Sequence, residues 1–142
     1  MSYPNDPPPG YETPDWPGLG LPILGDHTPD KRHTLYTVGA SWRFTLLWTL
    51  VTYAGAHVTV VFIAFCTHGW KRASWKYTWA LPIIYLIVAG IEAVFAGSVT
   101  GLMVGAIYRA GYHEMSTWVP LVWGFINVLV LIVSSFSFSG GL

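Results

Sequence analysis

Charge is what this sequence has least of. Only 10% of its 142 residues are Asp, Glu, Lys or Arg, while 53% are apolar and 16% are aromatic. A water-soluble domain carries about a quarter of its residues as charged side chains, so too few are present to cover a soluble surface. The shortage also has a pattern. No charge falls between Arg43 and Lys71, only Glu92 falls between Lys76 and Arg109, and none follows Glu114. Each gap exceeds the roughly 20 residues that cross a bilayer core. The expected fold is therefore an all-α integral membrane protein, three transmembrane helices preceded by a Pro-rich extended arm. The arm is residues 1–41 and the membrane domain 42–142, with spans at about 42–68, 77–108 and 117–138. Loops this short leave no room for a soluble catalytic domain.

Other absences narrow the function. Cys66 is the single cysteine, so no internal disulfide can form. No Asn-x-Ser/Thr sequon marks a lumenal segment. Seven basic residues balance seven acidic ones, which argues against nucleic acid as a partner, because phosphate binding needs clustered Lys and Arg on one face. The one basic cluster, Lys71, Arg72 and Lys76, sits beside a span and is placed, with Arg109, to contact anionic lipid headgroups. There is no P-loop, GxSxG, HExxH or Cys pair. No enzyme activity, cofactor or metal is therefore expected, and His113 and Glu114 read as a polar interfacial turn beside Arg109.

Eight of the ten prolines lie in residues 1–30. Proline lacks the donor that helices and sheets require, so the arm should be extended or disordered. It has neither the basic start nor the apolar stretch of a signal peptide, and the first span is expected to act as its own targeting signal. Trp16, Leu19, Leu21, Ile23 and Leu24 form an apolar patch within the arm. It reads either as a docking segment for a partner or the membrane interface, or as a greasy linker.

Ser41 is placed to cap the first span and Gly69 to end it. Trp42, Trp70, Trp75, Trp79 and Trp118 fall near span ends, where indoles form interfacial belts. Span two is too long: residues 77–108 make about 48 Å of straight helix against a core of about 30 Å. It should begin near Pro82, tilt, protrude or bend.

Ala89, Ala93, Gly97, Gly101 and Gly105 recur every fourth residue along span two. Such a ridge lets membrane helices approach closely, either within this unit or against a second copy or another protein. Each span also carries one strongly polar residue near its middle: His57, Glu92 and Asn127. Equal spacing and short loops would place all three at similar depth. An acid at mid-bilayer costs about 2.5–3.5 kcal/mol on insertion scales, so Glu92 should face the bundle interior or a cavity and find a partner. The trio reads as a buried hydrogen-bonded clasp, or as a proton-linked or substrate site. Thr45, Thr49, Thr52 and Tyr53 line another stripe of span one, where hydroxyls can bond the preceding turn.

Ala96-Gly97-x-x-Thr100, then Gly105-Ala106-Ile107-Tyr108-Arg109-Ala110 and Met115, resembles the second span and following loop of the transmembrane protein 170 family. His57 midway along span one, the chain length and the three spans fit it as well. The resemblance covers about residues 42–138 and includes neither the arm nor Glu92. It implies an endoplasmic reticulum or nuclear-envelope protein that shapes membrane sheets and associates with very large bridge-like lipid-transfer proteins.

The expected function is a non-enzymatic membrane subunit or scaffold that binds membrane lipids and another membrane protein through its ridge, aromatic belt and arm. A small oligomeric transporter, channel or scramblase built on His57, Glu92 and Asn127 is the alternative. The dense basic loop between spans one and two places that loop in the cytosol and the N-terminus in the lumen. A tag fused at the N-terminus should therefore resist protease added to intact microsomes. Its complete digestion would reverse the orientation.

Overall fold

A computed structural model describes residues 6–19, 33–68 and 80–138. Among them are strand β1 (Thr34–Leu35), helix α1 (Val38–His68), helix α2 (Ala80–Ala110), strand β2 (Met115–Ser116) and helix α3 (Trp118–Phe138). Each of the three helices is long and apolar enough to cross a membrane. Residues 71–79, which include Lys71, Arg72, Lys76, Trp75 and Trp79, and residues 69 and 70 lie outside the described set, as do Leu21, Ile23 and Leu24 of the arm.

The first span starts earlier than the expected Trp42. Thr37 is its cap: the Ala40 amide donates to Thr37 Oγ1 at 3.2 Å, and the Ser41 amide donates to the Thr37 carbonyl at 3.1 Å. The reason lies outside the helix. β1 pairs antiparallel with β2, Thr34 opposite Ser116 and Leu35 opposite Met115, and the Thr117 amide continues the ladder to the His33 carbonyl at 3.0 Å. This pairing fixes the chain just ahead of Thr37, so the helix begins there. Ser41 is freed from capping and turned inward, where it is 2% exposed and donates to Met115 Sδ at 3.2 Å. Residues 33–41 thus belong to the folded unit rather than to a separate arm.

The described part of the arm is not free-standing either. Tyr11 donates its hydroxyl to the Thr34 carbonyl at 2.6 Å and meets the Tyr36 ring edge-on. Trp16 lies against Trp48 with ring centroids 5.2 Å apart. The Gly18 carbonyl accepts from Thr117 Oγ1 at 2.9 Å and from His33 Nδ1 at 2.8 Å. Proline removes amide donors but leaves carbonyls and rings, and those hold the segment on the bundle.

α2 runs unbroken over 31 residues with Pro82 in its first turn, where a missing amide proton costs nothing. It ends in a Schellman turn: the His113 amide reaches the Tyr108 carbonyl at 3.1 Å, the Tyr112 amide reaches Arg109 at 3.4 Å, and Tyr112 takes a φ of 54°.

α1 is the hub, packing along α2 and, over a shorter length, along α3; α2 and α3 touch each other little. The ridge explains the α1–α2 contact. A Cβ added at Gly97 would stand 3.2 Å from the Leu46 Cα, one at Gly101 3.0 Å from the Trp42 Cα, and one at Gly105 3.2 Å from the Ser41 Cβ. Gly124 does the same for α3, its Cβ position lying 2.9 Å from the Trp48 Cβ. Of the two packings open to the ridge, the structure has the internal one. Leu35, Ala40, Phe44, Val104 and Met115 form one core, and Tyr53, Ala89, Ala93 and Val128 a second.

Gly101→Ala should therefore lower stability in detergent by about 1–3 kcal/mol, because Trp42 backbone cannot yield as a side chain would. Gly55→Ala, whose added Cβ meets nothing within 4 Å, should be neutral or stabilise by up to about 1 kcal/mol through helix propensity. Equal melting losses for the two would refute the internal seam.

Candidate functional site

The three mid-span polar residues do not gather at one point. Asn127 is 8% exposed and sits at the level of Thr49 and Thr100. Thr100 Oγ1 donates to Asn127 Oδ1 at 2.8 Å, Asn127 Nδ2 donates to Thr49 Oγ1 at 3.2 Å, and Thr49 in turn donates to the Thr45 carbonyl at 2.8 Å. One bond thus runs from α2 to α3 and one from α3 to α1, with both amide groups of Asn127 engaged. This is a clasp, and it uses the threonine stripe of span one. Thr52 bonds its own preceding turn, at 2.6 Å from the Trp48 carbonyl. Thr45 Oγ1 is buried with no partner among the described residues.

His57 and Glu92 share a different centre, Tyr53. The Tyr53 hydroxyl donates to Glu92 Oε2 at 3.1 Å. His57 Nδ1 lies 2.8 Å from the Tyr53 carbonyl, and its ring stands between those of Tyr53, at 4.1 Å, and Tyr85, at 5.0 Å. A carbonyl only accepts, so Nδ1 carries the proton, and in the neutral ring Nε2 is left with a bare lone pair. His57 is 8% exposed and Tyr53 6%. Glu92 is exposed on the flank of the bundle, because Ala89 and Ala93 occupy the inward positions of α2 at that level. Glu92 therefore faces outward and not, as expected, into the bundle interior or a cavity, although it does find a partner.

Even spacing and short loops alone would set the three residues at similar depth. The glycine seam sets the register instead. Gly97 opposite Thr49 fixes the register and brings Glu92 to Tyr53, four residues beyond the Asn127 clasp, which is about 6 Å along α1. Tyr53 stands in the stripe of hydroxyl residues expected to bond their own helix, yet its hydroxyl, carried at the far end of the ring, reaches across to α2.

Arg109 is exposed in the last turn of α2. It lines a recess of about 20 Å³ with Tyr36, Ser41, Tyr108, His113 and Met115, room for a water. Above it the Tyr36 hydroxyl donates to Glu114 Oε1 at 3.2 Å. Burial, and then the Glu114 carboxylate, push the Tyr36 phenol above its ordinary value of 10.0; burial alone raises Tyr11.

A folded value above the unfolded one means the neutral phenol stabilises the fold. That contribution is complete below about pH 10 and is lost as pH rises through the folded value. Melting in detergent should thus fall more steeply above about pH 10 for the native chain than for Tyr36→Phe. Parallel curves would show that the Tyr36–Glu114 contact carries no linkage.

The family model described as transmembrane protein 170A/B-like matches residues 34–142. A Saccharomyces cerevisiae protein, named as the uncharacterized protein YPR153W, is 37% identical over 136 residues, covering 96% of this chain and 93% of the yeast one. No solved structure matches. The matched region begins at Thr34, in β1, and takes in all three helices. The chain belongs to the transmembrane protein 170A/B-like family.

Proposed function

We propose that the chain is a non-enzymatic membrane subunit that acts by binding another membrane protein, in organising the endoplasmic reticulum or nuclear envelope or in anchoring a bridge-like lipid-transfer protein. The carrying observation is how the bundle spends its groups. The ridge glycines Gly97, Gly101 and Gly105 are consumed by close contacts with α1, and Asn127, Thr49 and Thr100 satisfy one another. What remains outward along α2 is apolar, Ile84, Ile87, Ile91, Phe95 and Val99 among it, and is interrupted by Glu92. A surface of that kind works by contact with lipid and with other helices.

The arm supports the same reading differently from expected. Trp16 is 38% exposed while resting on Trp48, so the segment leading into residues 20–32 is presented on the bundle instead of trailing from it. A transporter or scramblase on His57, Glu92 and Asn127 is less favoured, because Asn127 is closed into its own clasp at another depth.

Purification of the full chain in mild detergent, followed by mass spectrometry, should recover a large membrane partner in fixed proportion. Recovery of a lone monomer under several mild detergents would overturn the proposal.

A further inference from the structure

Glu92 is the one charged residue within the membrane stretch of α2 before Arg109. It lies about 18 Å of helix from Ala80 and about 27 Å from Ala110, well inside a core of about 30 Å. A carboxyl group offers roughly four acceptor positions, and among the described residues one is taken, by the Tyr53 hydroxyl. Beside it on the same tyrosine, His57 has used its donor on the Tyr53 carbonyl, and its other ring nitrogen is an acceptor with no partner among the described residues. The patch is therefore rich in acceptors and is backed by the aromatic rings of Tyr53 and Tyr85.

Water cannot supply donors at that depth. Two copies meeting symmetrically through the patch would set one carboxylate against another, like charge against like charge. The group that fits is a cation carried to mid-bilayer on an apolar helix. Charge complementarity, together with the exposed Ile91 and Phe95 that flank Glu92, selects the occupant.

We infer that Glu92, positioned by Tyr53 and His57, is the docking point for a partner's transmembrane helix that bears a Lys or Arg at mid-membrane. This inference rests on the reading of the chain as a partner-binding subunit and names the chemistry of the contact. The apolar residues around it supply packing, and the carboxyl supplies selectivity, since a helix lacking the cation leaves both acceptors unpaired.

The test uses the full chain in phosphatidylcholine vesicles with fluorescent host helices of about 24 Leu and Ala residues, carrying a central Lys, Leu or Asp. Energy transfer should show the Lys host bound about tenfold more tightly than the Leu host and the Asp host bound least. Glu92→Gln keeps an acceptor for Tyr53 and should abolish the Lys preference while leaving helix content unchanged. The native-chain comparison of the three hosts stands by itself if that variant fails to fold. Equal binding of Lys and Leu hosts, or a Lys preference that survives in Glu92→Gln, would overturn the inference. So would self-association of the chain that depends on Glu92, which would assign the patch to a second copy. Loss of the Lys preference when phosphatidylethanolamine replaces phosphatidylcholine would assign it to a lipid ammonium instead. If a native partner co-purifies equally with the Glu92→Gln chain, the docking point is wrong while the subunit reading stands.

Discussion

Everything in the bundle depends on the approach of α2 to the backbone of α1. A Cβ at Gly97, Gly101 or Gly105 would stand 3.0–3.2 Å from Leu46, Trp42 or Ser41, so any larger residue would force α1 to give way. In lipid no hydrophobic effect drives helices together, so association relies on van der Waals packing over a close, long interface and on a few polar bonds. The seam supplies the first, and the Asn127 clasp supplies the second across all three helices. With α1 gripped on two sides, α2 and α3 need little contact with each other.

Register follows from the seam, and the placement of the polar groups follows from register. Because Gly97 stands at Thr49, the next turn brings Glu92 to Tyr53 and leaves Asn127 with Thr49 and Thr100. One helical turn therefore separates the Asn127 clasp, which joins all three helices, from the Glu92 site, which is partnered only by Tyr53 among the described residues. Ala89 and Ala93 continue the ridge inward, so the side chain at position 92 points out. The chain thus keeps its only mid-span acid where another helix can reach it.

At the other end, the small β1–β2 pair and the folded-back arm tie the start of α1 to the start of α3. Thr117 is central to that tie, giving its amide to His33 and its hydroxyl to Gly18. The family match beginning at Thr34 coincides with the point where this tie begins.

Much of this was legible in the residues. Charge gaps give the three helices to within a few residues at most of the described ends, and the four-residue spacing of small side chains marks the α1–α2 seam. The start of α1 was not legible, because two two-residue strands leave no period to read and Ser41 looks as good a cap as Thr37. Nor was the splitting of His57, Glu92 and Asn127, since even spacing in sequence says nothing of register once a seam of glycines sets it. The seam is tested most directly in bilayers by solid-state NMR on isotope-labelled chain diluted into unlabelled copies. Cross-peaks linking Gly97 to Leu46, Gly101 to Trp42 and Gly105 to Ser41 should persist on dilution, whereas their loss would show that the glycines pack between chains.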